Sequence, residues 1–391
     1  MKINKINILA FALMFINAFL SLPVLILNIY KKKESICLIS LFLAILGFFF
    51  ISSDNTYDIA RYYLTFTDEV YRKSFFEKQG GVIAEYLVNI LLYLKLPPNL
   101  LPFISAFISY YFLLKTFKIS INERKKEKII YLFLFFLTYI SIPIIGYTGI
   151  RFIPAISIFI FGVFCKKKYN KIFFPILSVF IHTSMLIPVL IFYFCEMFLR
   201  NNIKIFKVLI VFSLLMGILI SPNTLVYFIN KFNELNIIYV NPNYIVGYWG
   251  MEYIKSRNTL ASKIVYYLLF MLEFLIIIFF NIFIYKKVKK RNKNLILFLS
   301  CFSLILYRYS TFWGRYTMIL ILLIFFITLE EFFKKQKNKY NILMFLISFY
   351  FIINLLYDIK KYWLSLYISY YYKFFTVSFL NLILKILENY F

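Results

Sequence analysis

Apolar residues in this chain gather into blocks of about 18 to 25 that recur along its whole length, with short lysine runs between them. A helix of about 20 residues rises 1.5 Å per residue and so covers the ~30 Å hydrocarbon layer of a bilayer. The blocks lack the alternation over about ten residues that a membrane β-barrel strand needs. Hydrophobic residues make up 62% of the 391, against roughly 45–50% in a soluble domain. Mean hydropathy is +0.80. A water-soluble fold is excluded, and the reading is an all-α, polytopic integral membrane protein forming a single membrane domain over 1–391.

Lysine and arginine number 44 against 17 acidic residues, a net charge of +27. In a soluble chain that balance would suggest nucleic acid. Here the basic residues flank apolar blocks, so they report topology, and no nucleic-acid partner is expected. Six clusters are assigned to the cytoplasm because Lys and Arg resist translocation in short loops: Lys31–Lys33, Arg124–Lys128, Lys166–Lys171, Arg200–Lys207, Lys286–Lys293 and Lys334–Lys339. Twelve transmembrane helices follow, near 7–29, 35–52, 98–117, 129–146, 150–165, 172–184, 185–199, 206–221, 260–285, 295–310, 316–332 and 340–357. The C-terminal 362–391 adds a span or lies at the interface. Ile6–Tyr30 is too long for a signal-peptide core, so it is expected to stay as the first span with Met1 as the start.

Two stretches resist a simple count. Val82–Leu96 is short, carries Glu85 and Asn89, and ends at Pro97 and Pro98, which suits an interfacial or re-entrant helix on the outer side. Phe173–Leu199 is long for one span and holds Pro175, His182 and Pro188, so it is split into two short helices meeting near His182. Two outer segments result, about 53–97 and 222–259, with short outer turns at Tyr147–Arg151 and Arg308–Arg315. Cys37, Cys165, Cys195 and Cys301 show no paired or ligand-like spacing, so neither a disulfide nor a zinc site is expected.

The chemistry-bearing residues fall on the outer side. Asp54, Asp58 and Arg61 are spaced four and three apart and would share a helix face, either as a local ion pair or as the rim of a sugar or phosphate site. Tyr57, Tyr62 and Tyr63 beside them suit sugar stacking or an interfacial aromatic belt. Arg151 opens a span; a charge costs at least ~2.5 kcal/mol at the membrane centre and less toward the interface, so it is partnered, wet or snorkelled. It anchors to headgroups, or it binds pyrophosphate through its planar fork of donors. His182, the single histidine, is a packing residue or a proton acceptor or hydrogen-bond donor in a wet cleft. Arg308 and Arg315 are two helical turns apart unless Gly314 breaks the helix, and either anchor the outer leaflet or add to a cationic site.

These residues in this order resemble the EpsG-like family of polysaccharide polymerases, grouped with the Wzy type. The resemblance rests on Asp58-x-x-Arg61-Tyr62-Tyr63 after the second span, Glu85, Gly149-x-Arg151-x-x-x-Ala155, His182-Thr183-Ser184 and Arg315-Tyr316, over roughly 35–330. Where a Gly-x-Asp is frequent in the family this chain has Ser53-Asp54-Asn55, so Asp54 and Asp58 both stand for the acidic position. The resemblance implies joining of undecaprenyl-pyrophosphate-linked repeat units on the outer face of the bacterial cytoplasmic membrane, for capsule, exopolysaccharide or O-antigen. For that reaction Arg151, Arg308 and Arg315 are the candidates at the pyrophosphate, His182, Asp58 and Glu85 the candidate bases, and Asp54, Arg61, Tyr62, Glu85 and Tyr316 the candidates at the substrate. Neither cofactor nor metal is expected; the lipid bilayer, a chain-length regulator and a flippase are the expected partners. Two alternatives stand beside it. A polyprenyl-phosphate-sugar glycosyltransferase would use acidic residues such as Asp54 and Asp58. A flippase or exporter of lipid-linked oligosaccharide would carry charges inside spans and an internal repeat, and the chain is read as having neither.

Overall fold

The computed structural model describes residues 5–51, 58–68, 82–121, 128–142, 149–199, 206–234, 242, 245, 260–288, 292–332, 338–371 and 376–388, and every regular element among them is helical. Four helices are long and apolar enough to cross a membrane, Leu100–Ser120, Leu260–Ile284, Ser310–Glu330 and Lys339–Lys361. Phe206–Leu219 and Pro222–Lys231 would make a fifth, bent by 96°. Most other expected spans are helices too, but of 12 to 14 residues. Such a helix covers only about 18–21 Å. The chain clusters into two compact units, Met1–Met185 with Leu355–Phe391, and Leu186–Asn354.

The first unit opens with α1 (Lys5–Ile16) and α2 (Ala18–Tyr30), where one span was expected. Asn17 is extended (φ −154°, ψ 126°) and its side chain accepts the Phe19 N–H at 2.9 Å, capping α2. Asn28 donates to Asn7 at 3.0 Å. A straight helix would hold these two about 32 Å apart, so α1 and α2 form a hairpin. An amide in apolar surroundings needs a partner, and folding back supplies it.

α3 (Ile36–Phe49), capped by Ser35, packs against α6 (Leu100–Ser120). Between them in sequence lie α4 (Asp58–Thr67) and α5 (Val82–Tyr93). In α5 the buried Ala84, Val88 and Leu91 recur at helical spacing, while Tyr86, Ile90 and Tyr93 are exposed. That amphipathic pattern agrees with the interfacial helix expected there. α7 (Lys128–Ile140) lies against α2 and α6. α8 (Phe152–Phe164) and α9 (Lys168–Ile181) form a tight pair, because a Cβ on Gly162 would come within 2.5 Å of Pro175 Cδ. α9 stops where the break was expected: His182 is extended (φ −148°, ψ 116°), a 3-10 turn spans Thr183–Met185, and a new helix starts at Leu186.

The basic segments of this unit meet at one end. Tyr131 donates to Glu34 Oε1 at 2.6 Å, and Lys118 pairs with the same oxygen at 3.1 Å. Lys32 lies over the Tyr131 ring, Lys128 over Tyr30, and Lys115 over Tyr111 and Phe161. Lys31–Lys33, Lys128 and the start of α9 therefore share an end, as the inside-positive layout requires of them.

The second unit contains α10 (Leu186–Phe198), α11 (Phe206–Leu219), α12 (Pro222–Glu234), α13 (Leu260–Phe279, continued by a π turn to Ile284), α14 (Asn292–Ile305), α15 (Ser310–Phe332) and most of α16 (Asn338–Lys361). α14 is its hub, packing on α10, α11 and α15. Its basic segments also gather at one end. Phe206 stacks on Tyr285 at 4.9 Å, Lys286 and Lys339 lie over Phe206 and Phe283, and Asn294 donates to the Leu199 carbonyl at 2.9 Å.

The chain returns to the first unit through α17 (Trp363–Leu366), extended by a π turn to Tyr371, and α18 (Phe379–Glu388). α18 has 10 residues and rests on α1 and α3, with Leu380, Leu384 and Leu387 exposed, the form of an interfacial helix.

Candidate functional site

In the first unit the loop-to-helix transitions bring three of the expected residues together. α8 and α9 run antiparallel across the turn at Cys165–Lys167, so the residue before α8 and the residue after α9 both lie toward the opposite end. These are Arg151 and His182. The Arg151 guanidinium carbon lies 5.7 Å from the centre of the Tyr62 ring, which is 2% exposed. Such a cation–π contact contributes about 0.5–2 kcal/mol, more as it is desolvated. Phe152, next in the chain, meets the His182 ring edge to face at 5.3 Å. A continuous path thus runs from α4 through the N-terminus of α8 to the end of α9.

The state of His182 follows from its partners. Nδ1 accepts the Ser184 backbone N–H at 3.2 Å, and the Ser184 hydroxyl lies 2.8 Å from the same nitrogen. A backbone N–H can only donate, so the neutral ring carries its proton on Nε2. In that tautomer His182 presents a donor rather than a base through Nε2. Of the roles read from the sequence, that tautomer corresponds to the hydrogen-bond donor. Tyr63 is no base either, since burial pushes its phenol well above the usual range.

Glu85 is half-buried on α5, which packs on α9. Asp58 and Arg61 lie in the first turn of α4, with side chains outside the described residues, and Asp54 lies outside them altogether.

Arg308, Arg315 and Tyr316 belong to the second unit. Arg308 is exposed and donates to the Ile218 carbonyl at 3.4 Å. Arg315 is half-buried within α15, which runs unbroken through Gly314. The break falls earlier, in a turn where the Tyr309 N–H bonds the Leu306 carbonyl at 3.0 Å, so the two arginines do not share one helix. Tyr316 is 2% exposed, its ring edge-on to Phe302 at 4.9 Å and stacked with Phe312 at 6.4 Å. Its ring is thus packed among aromatic neighbours of the second unit.

One residue that hydropathy passes over is Glu273, halfway along the membrane-length helix Leu260–Ile284. Its Oε2 accepts Trp313 Nε1–H of α15 at 2.5 Å, and its Oε1 lies 2.9 Å from the Tyr350 hydroxyl of α16. Thr317, whose hydroxyl bonds the Trp313 carbonyl at 2.7 Å, adjoins the same carboxyl. The sequence signal was a lone acid within an apolar run, which by default marks a functional position. It corrects the reading that no span carries a charge.

Among the described residues no three His, Cys, Asp or Glu side chains cluster as a metal site. No protein family, no curated protein and no solved structure matches the chain.

Proposed function

We propose that the chain is a polysaccharide polymerase that joins undecaprenyl-pyrophosphate-linked oligosaccharide units on the outer face of a bacterial cytoplasmic membrane. The observation that carries this reading is that Tyr62, Arg151 and His182 lie close together, through the Arg151–Tyr62 and Phe152–His182 contacts, at the end of the first unit opposite Lys31–Lys33 and Lys128. Transfer of a growing chain from its carrier to the hydroxyl of an incoming lipid-linked unit breaks the glycosyl–O bond and releases undecaprenyl pyrophosphate as an anion, so cations and hydrogen-bond donors at the leaving group replace a general acid. Arg151 supplies a bidentate donor and His182 an Nε2–H. Arg308 and Arg315 in the second unit carry the same chemistry, and Glu85 or Asp58 would take the proton of the acceptor hydroxyl. The ordered motifs that resemble those of EpsG-like polymerases, and an all-helical fold with four helices, or five with the bent pair, long and apolar enough to cross a membrane, support it.

A second reading is favoured by Glu273, since a charge inside a span is what an exporter of lipid-linked sugars would carry. One experiment separates the two. In a strain lacking the gene, a polymerase leaves single lipid-linked units exposed on the outer face, and an exporter leaves them inside. Long polymer persisting in a strain with no other polymerase would sink the first reading.

A further inference from the structure

Glu273 sits in the middle of a 25-residue apolar helix and, among the described residues, meets no cation. An ionised carboxylate in that position is costly unless a counter-charge accompanies it. The groups that do meet it are neutral and come from both helices packed around it. From α15 come Trp313 and Thr317, neither of which titrates; from α16 comes Tyr350, the one titratable group facing it. Arg315 lies two residues beyond Trp313 on α15, about 200° further round the helix.

The two oxygens differ in what their partners permit. Indole N–H is donor only, so Oε2 must be the acceptor toward Trp313. A phenol hydroxyl either donates or accepts, and 2.9 Å suits both directions. We propose that Glu273 is a proton-binding site, a neutral carboxylic acid whose proton sits on Oε1 and is shared with the Tyr350 hydroxyl. The ligand is the proton itself, held between three helices of the second unit. The assignment is independent of whether the chain polymerises or exports.

The test is infrared spectroscopy of the full chain in lipid nanodiscs at neutral pH. The wild type minus Glu273→Gln difference is expected to show the carbonyl band of a protonated acid, moving to lower frequency in deuterated water. A pair of carboxylate bands in its place would overturn the proposal. Should Glu273→Gln fail to accumulate, the wild type minus Tyr350→Phe difference reads the same proton. A displaced acid band supports the sharing, whereas a change confined to carboxylate bands, or none in any carboxyl band, refutes it.

Discussion

His182 Nδ1 accepts the backbone N–H of Ser184 at 3.2 Å, so the imidazole that ends α9 is also the cap of the turn that follows it. The two duties can be separated. Asparagine at 182 keeps an acceptor for Ser184 but loses the imidazole Nε2–H. A hydrogen bond to a charged group contributes about 1.5–3 kcal/mol, or roughly ten- to hundredfold in rate. His182→Asn is therefore expected to slow polymer growth by that factor at normal membrane levels of protein. Unchanged polymer length would reduce His182 to a turn residue.

The contact between Arg151 and Tyr62 predicts an asymmetric series. Tyr62→Phe keeps the ring face under the guanidinium and should leave polymer length unchanged, while Tyr62→Leu should shorten it. Arg151→Lys should fail almost as badly as Arg151→Ala, because an ammonium lacks the bidentate fork. The same comparison applies to Arg308 and Arg315, with Lys204→Ala as control. Full-length polymer from all three lysine variants would make the arginines membrane anchors, since lysine snorkels as well.

The N-terminal hairpin gives a distance test. Cysteines replacing Asn7 and Asn28, in a background without Cys37, Cys165, Cys195 and Cys301, should form a disulfide readily under mild oxidation, read as loss of free thiol. In a single straight span they would lie about 32 Å apart and never join.

At the lysine end, Glu34 has a side chain 1% exposed, and Lys118 is 29% exposed. Removing one partner of a buried pair costs about 3–5 kcal/mol, whereas losing one neutral donor costs about 1 kcal/mol. Lys118→Ala, which would strand the Glu34 carboxylate, should thus lower the thermal midpoint in detergent more than Tyr131→Phe does. The reverse order would mean that the ion pair adds little.

Much of this architecture was legible from local signals. Pro175, Pro188 and a polar His182 marked the break between α9 and α10, and the short length of Val82–Leu96, with Glu85, Asn89 and the prolines after it, marked a helix distinct from the membrane-length ones. The lysine runs marked ends that the structure brings together within each unit. What escaped depended on partners distant in sequence. Block length alone reads 7–29 as one span, because the Asn7–Asn28 bond exists only after folding back. Glu273 looks like an isolated blemish until Trp313 and Tyr350, 40 and 77 residues away, arrive beside it. The aromatic neighbours of Tyr316, Phe302 and Phe312, were likewise not legible from its motif position.

The contact of Gly162 with Pro175 lies toward the lysine end of α8 and α9, while Arg151 and His182 are at the other. Eleven residues separate Gly162 from Arg151, a lever of about 16 Å. The two helices act as tongs with a fixed fulcrum, and a tilt of roughly 4° there would shift the tips by about 1 Å. Displacement on that scale decides whether reacting groups are positioned or not. The accuracy of the tips that carry Arg151 and His182 is therefore set at the lysine end of the unit, by Gly162, where a side chain would pry the jaws apart.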